Sequence, residues 1–384
     1  MFLDKKLTVL VSGKAHRVGV KGTESSFIEH RFQNQVQKDI LPIKDHRTAA
    51  SLIFRFIQEN KIDIESIGHR FVHGGSQFQT AVLLDNPTLK RLQASAALAP
   101  LHNPISLSVI DESKQVYPSI LQYATFDTAF HSTIPEYASI YPLPRKIIQQ
   151  FGFRKFGFHG LSYSYVTQKV PEFLNIPVTN LKIVACHLGT GGSSVAAIKA
   201  GHSIDTSMGY SPLPGLMMST RSGDIDPMLM IYLMAVYGYR SEALEELLNK
   251  QSGILGVSGF SSDLRDVIHR IDTEQESQAE LALTMYIYRL RKYIGSYIIA
   301  LGGIDALVFT DDIGVKNWLV REQVCASMGW AGIKLDKPIN QQAPSDTITK
   351  LNSPDSSGYI LSIPTNEEYV IARDGISLLN EKRT

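Results

Sequence analysis

Two apolar runs joined by a glycine-rich turn constrain the fold of this chain more than any other feature. The runs are residues 181–187 and 193–198, and Gly189, Gly191 and Gly192 lie between them. Short apolar runs on both sides of a glycine-rich turn are typical of a β-hairpin. Strand and helix patterns alternate along much of the chain. A hairpin combined with this alternation predicts an α/β architecture in which helices cover mixed sheets.

The other elements are predicted from hydrophobic periodicity and capping residues. Helices are expected from Asp45 onward, with Asp45 as N-cap, and at 162–170, 279–301 and 318–328. Strands are expected at 7–11 and 17–21, around a glycine-containing turn, and then at 66–72, up to 126, at 306–310 and at 359–363. The polar stretch 340–357 is predicted to be a surface loop.

Composition and charge exclude several classes of protein. With 384 residues, 43% of them hydrophobic, the chain is long enough for two domains. Lys and Arg number 38 against 37 Asp and Glu, so the molecule has no overall field that favours nucleic acid or an anionic membrane. Three basic residues interrupt the apolar stretch 281–300, and the N-terminus lacks the pattern of a signal peptide. Cys186 and Cys325 have no CxxC spacing, so we expect a reduced, cytoplasmic protein.

Two strand ends carry charged candidates for a functional site. Arg70 lies in the glycine-containing segment 68–75, and its planar guanidinium suits a carboxylate or a phosphate. A surface arginine at a strand end explains the same pattern equally well. Asp127 follows the strand that ends at residue 126, and strand ends of α/β proteins border ligand sites. Asp127 is therefore expected to orient a cationic side chain or a metal-bound group, or else to cap a helix.

A histidine and the hairpin turn are weaker candidates when each is taken alone. His159 lies among aromatic residues and glycines at 156–160, where a packed histidine is the more common case. The hairpin turn, 187–194, offers several backbone amides and hydroxyls to a phosphate. The segment 100–104, with one histidine and one asparagine, is interpreted as a structural turn.

Arg221 lies in the polar segment 219–227 and has two carboxylates close to it in sequence. A guanidinium can stabilise charge on a transferring phosphoryl group. Asp224 or Asp226 is expected either to hold this arginine or to cap the helix that begins at Pro227.

Glu367 and Glu368 follow the last predicted strand. Paired carboxylates hold Mg²⁺ through their oxygens, although acidic residues are also common at helix starts. The sequence has no Walker-A loop, protein-kinase glycine loop or nucleophile elbow. If the chain binds phosphates, hairpin amides and arginines must therefore bind them.

Taken in order, these segments resemble the acetate kinase family. The matching motifs run from about residue 67 to the C-terminus: GHRFVHGG, PLHNP, FDTAFH, FGFHG, CHLGTGGSS, DTSMGYSPLPGL, TRSGDIDP, SGILG, FTDDIG and IPTNEE. The resemblance implies the ribonuclease H-like fold of acetate and sugar kinases, Hsp70 and actin, with two domains around an active-site cleft, here 1–131 with 369–384 and 132–368. It also implies a cytoplasmic homodimer that catalyses ATP + acetate = ADP + acetyl phosphate by in-line transfer, with Mg²⁺ or Mn²⁺.

The resemblance also assigns roles to individual residues. Arg70 and Arg221 would clamp the phosphoryl group and the acetate carboxylate, and His159 would stabilise the transition state. Asp127 would hold a catalytic arginine or the metal's water, and Glu367 the metal. The pocket for the methyl group would consist of Val72, Leu101, Phe158 and Pro212. Nucleotide-binding residues are expected at His187, Leu188, Gly189, Thr190, Gly191, Asp263, Leu264, Arg265, Asp312, Ile313 and Gly314.

Several positions depart from the family pattern. Aligned without gaps, the family's first phosphate loop, Asn-x-Gly-Ser-Ser-Ser-x-Lys, falls on residues 11–18, where only the glycine matches. Asp311 and Asp312 stand in place of two glycines and add negative charge beside the nucleotide. Thr190 replaces an asparagine of the phosphate hairpin, and Ser219 replaces a glycine. The departures fall on the nucleotide and metal side, while the acetate side is kept.

These departures leave two alternatives to an active acetate kinase. One is a catalytically impaired relative that acts as a binding or regulatory protein. The other keeps catalysis but uses a different phosphoryl donor, such as pyrophosphate. A kinase for longer acyl chains is not favoured, because the residues expected to bound the methyl pocket are unchanged. The expected partners of an active kinase are small molecules rather than nucleic acid or membranes.

Overall fold

The computed structural model describes residues 2–3, 6–20, 25–100 and 102–383. The chain divides into two compact units, which we call the first unit, Met1–Ala129 with Asn366–Thr384, and the second unit, Phe130–Thr365. The predicted division into domains, at residues 131 and 368, stays a prediction.

The first unit contains two sheets and the helices that cover them. One sheet is antiparallel in the order β1-β2-β3-β4, with β1 Phe2–Leu3, β2 Val9–His16, β3 Phe27–Phe32 and β4 Gln35–Ile40. The other has the order β5-β7-β6, with β5 Ser66–Phe71, β6 Val82–Leu83 and β7 Leu121–Phe126. The helices are α1 His46–Glu59, α2 Asn86–Ala94, α3 Asn103–Val116 and the C-terminal α15 Glu367–Arg383.

The prediction of two short N-terminal strands around a turn is wrong. Residues 9–16 form the continuous strand β2, and residues 11–16 of it pair in register with β3. Gly13 lies within this ladder, where a Cβ would collide with the carbonyl of Glu29. Residues 17–20 form no strand, and Lys21 lies outside the described residues. Residues 11–16 of the segment that aligns without gaps to the family's phosphate loop therefore lie in a paired strand, and that alignment stays a prediction.

The predicted N-cap of α1 is confirmed, because the Asp45 side chain accepts a hydrogen bond from Thr48 N at 2.7 Å.

Strand pairing places the ends of β5 and β7 side by side. Strands β5 and β7 run parallel, with Phe71 opposite Phe126, and Asp127 N donates to Phe71 O at 3.2 Å. Both strands therefore end at one edge of the sheet.

Helix α15 packs closely on this sheet. The Tyr123 hydroxyl donates to Ile371 O at 2.9 Å. A Cβ at Gly68 of β5 or at Gly375 of α15 would collide with the side chain of Tyr123. This close approach fixes the start of α15, where Glu367 lies, relative to the end of β5.

The second unit is built on one sheet in the order β10-β9-β8-β11-β13-β12. Its strands are β8 Lys182–Leu188, β9 Ser193–Lys199, β10 His202–Thr206, β11 Ala306–Thr310, β12 Thr349–Lys350 and β13 Tyr359–Ile363. Its helices are α4 Glu136–Ser139, α5 Arg145–Phe151, α6 Gly160–Leu174, α7 Pro227–Tyr237, α8 Ser241–Lys250, α9 Gly253–Ser258, α10 Leu264–Glu274, α11 Ser277–Leu301, α12 Asp311–Lys316, α13 Trp318–Cys325 and α14 Lys337–Gln342. Short 3₁₀ helices lie at Val178–Asn180 and Gly329–Ala331 in this unit, at Ala96–Leu98 in the first unit, and at Ala129–Thr133 where the division falls.

The predicted hairpin is confirmed, since β8 and β9 pair antiparallel, and β8 also pairs parallel with β11. The central strands are buried on both faces. Along β8, Val184 packs in the cluster that includes α11, and Ile183 packs in the cluster that includes α6. Burial raises the pKa of the Cys186 thiol well above its ordinary value and that of Cys325 to about 12. Both thiols are free cysteines in the core.

Two boundaries predicted near the C-terminus are wrong. Helix α13 ends at Cys325 instead of residue 328. The stretch 340–357 is not one exposed loop, because it includes the end of α14 and strand β12. Within it Asn340 is fully buried, where its Oδ1 accepts from Arg321 Nε at 2.7 Å. In the described part of the chain, we find no helix with the length and apolarity needed to span a bilayer.

Candidate active site

Arg70 and Asp127 form a two-pronged ion pair at the ends of β5 and β7. Arg70 Nε donates to Asp127 Oδ1 at 2.8 Å, and Nη2 donates to Oδ2 at 2.6 Å. The Asp127 side chain is 2% exposed, whereas that of Arg70 is 45% exposed. A buried carboxylate thus holds a planar guanidinium in one orientation at the surface of the first unit.

A second carboxylate, that of Glu367, lies beside the same guanidinium. Its Oε2 is 3.6 Å from Arg70 Nε, and Glu367 is the first residue of α15. The charge of Asp127 raises the pKa of Arg70 far above its ordinary value, against the effect of burial, and the charges of Glu367 and Glu368 add to it. Arg70 is therefore a permanent cation oriented by acidic side chains.

The glycine segment after β5 is held in place by the amide of Asn103. Asn103 Oδ1 accepts from His73 N at 3.2 Å, and its Nδ2 donates to His73 O at 3.1 Å. Gly74 allows this path, since a Cβ there would meet two phenylalanine side chains at 2.8 and 2.9 Å. Val72 lies half-buried at the start of the segment. Leu101 lies outside the described residues.

In the second unit, a chain of buried hydroxyls fixes His159. Its Nδ1 lies 2.8 Å from Ser194 Oγ, which lies 2.5 Å from the Tyr163 hydroxyl. Burial raises the pKa of Tyr163, so the hydroxyl stays protonated. We infer that this proton is donated to Ser194 Oγ, the hydrogen-bond partner of the hydroxyl. Ser194 then donates to His159 Nδ1, which leaves the proton of a neutral imidazole on Nε2.

His187 stacks on His159 and is held at both ring nitrogens. The two ring centroids are 4.0 Å apart, with 24° between the planes. His187 Nδ1 lies 2.9 Å from Ser162 Oγ, and Nε2 lies 3.2 Å from Asp311 Oδ2. Burial acts to raise the pKa of the Asp311 carboxyl, but the hydrogen bond and charge of His187 are the main effects that bring it below its ordinary value. Because a charged carboxylate only accepts, His187 Nε2 carries a proton.

The glycine-rich hairpin brings Arg221 next to His159. Gly189 N donates to Gly192 O at 3.1 Å and closes the turn between β8 and β9. A Cβ at Gly192 would lie 3.1 Å from Arg221 Nη1 and 3.5 Å from His159 Nε2. A guanidinium, an imidazole and a hairpin backbone thus meet at Gly192, a combination suited to a phosphate.

Arg221 has no carboxylate partner in the part of the chain that the structure describes. Its Nη1 lies 4.0 Å from Met218 Sδ, and burial lowers its pKa below the ordinary value. The nearby aspartates bind elsewhere. Asp224 Oδ1 accepts from Gly215 N at 2.8 Å, and Asp226 accepts a hydrogen bond from the first turn of α7. Of the two roles expected for these aspartates, helix capping is confirmed for Asp226, and neither carboxylate holds Arg221.

The sequence matches the acetokinase family over residues 2–373. The chain belongs to this family. It is 41% identical over 377 residues to the acetate kinase of Thermoanaerobacter pseudethanolicus, which covers 95% of this chain and 92% of the relative. The crystal structure of Porphyromonas gingivalis acetate kinase is 37% identical, with a TM-score of 0.89 over 98% of this chain and 95% of that one. A propionate kinase from Francisella tularensis is 35% identical, with a TM-score of 0.87 over 96% and 93%. These likenesses confirm the predicted fold class.

In this member of the acetokinase family, the residues expected beside adenosine lie at the starts of α10 and α12. Asp263 caps α10 by accepting from Arg265 N at 2.8 Å, and it also binds the Arg265 guanidinium. Asp312 is exposed and pairs with Lys316 at 2.6 Å. The hydrogen bond and charge of Asp263 raise the pKa of Arg265, and the charges of Asp266 and Asp312 add to this effect. The structure therefore brings Asp263, Arg265 and Asp312 into one charged group.

The remaining residues expected at the nucleotide differ in exposure. Leu264 and Ile313 are buried in the apolar core, and Gly314 is buried where a Cβ would lie 3.3 Å from the Phe309 carbonyl carbon. These side chains position α10 and α12. In the hairpin, Leu188 and Gly189 are buried, whereas Thr190 and Gly191 are exposed at the tip.

Phe158 and Pro212, two residues expected to bound the methyl pocket, lie on adjacent segments. Phe156 N and Gly157 N both donate to Gly209 O, at 3.1 and 3.2 Å. The Phe158 ring is 2% exposed, and Pro212 is half-buried. Phe158 and its segment are thus held rigidly against the loop that carries Pro212.

Glu367 fits the role of a magnesium ligand. We find no group of three or more His, Cys, Asp or Glu side chains with metal-binding geometry among the described residues. Mg²⁺ commonly takes only one or two protein carboxylates and completes its shell with water and substrate phosphates. The half-buried Glu367, already facing a cation at 3.6 Å, is a carboxylate of this kind.

Sequence reasoning missed the residues that position the others. Ser194 and Tyr163 hold His159, although 31 positions separate them. His131 was named only within its motif, yet its Nε2 lies 2.9 Å from Phe158 O and its Nδ1 lies 2.8 Å from Ser203 Oγ. These three residues lie inside or near motifs that resemble the family. The motifs show that their segments matter, but they do not show which side chains contact each other.

Proposed function

We propose that this chain transfers the γ-phosphoryl group of ATP to acetate, forming acetyl phosphate and ADP. The observation that carries the proposal is the meeting of Arg221, His159 and the glycine-rich hairpin at Gly192. Relatives that align along nearly the whole chain are named acetate kinases, which supports the same reaction.

In this reaction a carboxylate oxygen of acetate attacks the γ-phosphorus, and the bond from that phosphorus to the β-phosphate oxygen breaks. Negative charge is spread over the phosphoryl oxygens in the transition state. Arg221, which no described carboxylate neutralises, and the Nε2 proton of His159 stabilise this charge. Arg70, oriented by Asp127, acts with Arg221 in clamping the acetate carboxylate and the phosphoryl group.

The other predicted residues bind the rest of the two substrates. We assign the methyl group to Val72, Leu101, Phe158 and Pro212. We assign the nucleotide phosphates to His187 and the hairpin backbone at 188–191, and adenosine to the starts of α10 and α12. A bound Mg²⁺ or Mn²⁺ supplies charge neutralisation for the phosphates, and Glu367 is the residue that would hold it.

The hypothesis of a catalytically impaired relative loses part of its motive. It rests in part on replaced residues at 11–18, most of which lie in the paired strand β2 and not in a loop.

Helix α7 supports the predicted homodimer. None of its residues is buried, and large apolar side chains are exposed around it: Met228, Leu229, Ile231, Tyr232, Met234, Val236 and Tyr237. Exposed apolar patches of this kind mark protein interfaces. We propose that α7 contributes to a dimer interface and that the protein is cytoplasmic, in agreement with its two free thiols. Ile231→Asp should convert the dimer to monomer in size-exclusion chromatography.

Hydroxamate detection of acetyl phosphate, with purified protein, ATP, acetate and Mg²⁺, tests the proposed reaction. We expect product from the parent chain and a loss of about 10³-fold or more in kcat for Arg221→Ala. The matched control is Arg55→Ala, an exposed arginine on α1, which should keep the parent rate. Absence of product from the parent, with a positive control active, would contradict the proposal.

A further inference from the structure

Asp311 adopts a backbone conformation that residues other than glycine rarely take. It is the first residue of α12 and has a φ of 64°, in the left-handed region. Strained positions of this kind persist where the surrounding structure holds them, and they concentrate at functional sites. Asp311 also lies directly after β11, which pairs with β8, the first strand of the hairpin.

The Asp311 carboxylate lies against the hairpin that we assign to the nucleotide phosphates. Its Oδ2 is 3.2 Å from His187 Nε2. A Cβ at Gly189 would collide with the same oxygen, so the carboxylate rests on the backbone of the turn. The Asp311 side chain is 29% exposed, so one side of it stays open to solvent.

The neighbouring charges leave this carboxylate ionised. His187 faces it directly and stacks on His159, and Lys316 acts on it from the next turn of α12. Asp312, the following residue, pairs instead with Lys316 at 2.6 Å and is half exposed. Of the two aspartates, therefore, only Asp311 places a fixed negative charge against the hairpin.

We propose that Asp311 determines which form of the phosphoryl donor this chain accepts. Its carboxylate is an internal anion that competes with the donor's phosphates for His187 and the hairpin backbone. Like charges repel at close range, so a polyphosphate without metal is disfavoured most, and one whose charge is reduced by Mg²⁺ is disfavoured less. Asp311 thus selects metal-complexed over metal-free donors. The inference rests on the proposed function, because that function places nucleotide phosphates at this hairpin.

Isothermal titration with ADP, in Mg²⁺ and in excess EDTA, tests the inference without needing turnover. We expect Asp311→Asn to tighten binding of metal-free ADP about fivefold or more and to tighten binding of Mg·ADP clearly less. Asp311→Gly should do the same and also relieve the positive φ, so its unfolding midpoint should not fall below that of the parent.

Asp312→Asn is the matched control, since it removes the same charge one residue further along. It should change the affinity for metal-free ADP less than Asp311→Asn does. Equal gains from both variants, weaker binding by Asp311→Asn, an unchanged preference for Mg·ADP, or no ADP binding by any variant would overturn the inference. If no acetyl phosphate forms while Asp311→Asn still tightens metal-free ADP, the proposed function fails and the role of Asp311 stands.

Discussion

The two units hold their functional arginines in opposite ways. In the first, Arg70 is gripped by the buried Asp127 at 2.6 and 2.8 Å and faces Glu367 at 3.6 Å. In the second, Arg221 has no carboxylate partner among the described residues, and its Nη1 lies 4.0 Å from the sulfur of Met218. The first arrangement fixes the orientation of the Arg70 guanidinium, but the carboxylate of Asp127 neutralises much of its charge. The second leaves the full charge available.

We propose that this difference separates substrate binding from stabilisation of the transition state. A guanidinium already paired with a carboxylate gains less from a new anion, so Arg70 is suited to orienting a substrate. An unpaired guanidinium in a half-buried site gains most when charge develops nearby. In the same unit, His159 is held through the hydroxyl of Ser194, which in turn binds the hydroxyl of Tyr163.

Among changes to the groups that position Arg70 and His159, the largest effect is expected where the orientation of Arg70 is removed. Asp127→Ala deletes both acceptors, and misplacement of a clamping group by about 1 Å costs about 10²-fold. We expect kcat/KM for acetate to fall about 10²-fold in steady-state assays. Asp111→Ala, an exposed carboxylate on α3, is the control and should keep the parent value. A change of less than threefold in Asp127→Ala would show that the pairing does not matter.

The next effect concerns the stability of β5, which carries Arg70. His69 is buried, lies 3.0 Å from Gln122 Oε1, and burial lowers its pKa to about 4. The unfolded chain therefore binds more protons than the folded chain between pH 6.5 and about 4, so stability is lost as the pH falls through this range. We expect a loss of about 2 kcal/mol from pH 7 to pH 5.

Urea unfolding at pH 7 and pH 5 measures this loss. His69→Gln, which cannot titrate, should lose about 2 kcal/mol less than the parent over the same interval. The same pH dependence in both proteins would assign the loss to other groups.

A smaller effect is expected in the hydroxyl chain of the second unit. Ser194→Ala removes the donor to His159 Nδ1, so the imidazole no longer has its proton fixed on Nε2. We expect kcat to fall about tenfold with little change in KM for acetate, because the transition state is affected more than binding. Tyr163→Phe, one step further along the chain, should lower kcat less. An effect on KM alone would mean that Ser194 acts only on substrate binding.

The sequence predicts which segments surround Arg70 and Arg221 better than it predicts the side-chain contacts within each group. The hairpin, β11, β13 and the cap at Asp45 follow from local periodicity and turn residues, and the structure has them. The pairing of Ser194 with Tyr163 joins residues from a strand and a helix, so no local pattern contains it. The turn expected around Gly13 was wrong because, in sequence, a glycine in a paired strand cannot be told from a glycine in a turn.

Charge partners were predictable only in part. The expectation that Asp127 orients a cationic side chain agrees with its contact to Arg70. Arg70 lies near the end of β5, Asp127 directly follows β7, and these two parallel strands end together. The departure at Asp311 was visible in the sequence, but its partner His187 was not, because register between β11 and β8 decides it.

The most direct test of the contrast between the two arginines is rescue by free guanidinium. Acetyl phosphate formation is measured for Arg221→Ala and Arg70→Ala with and without added guanidinium chloride at concentrations below unfolding. Free guanidinium should enter the site of Arg221, which no carboxylate organises, and restore kcat about tenfold. It should restore Arg70→Ala far less, since a free cation bound to Asp127 lacks the tether that orients it. Equal rescue of both variants, or none for Arg221→Ala, would contradict the account.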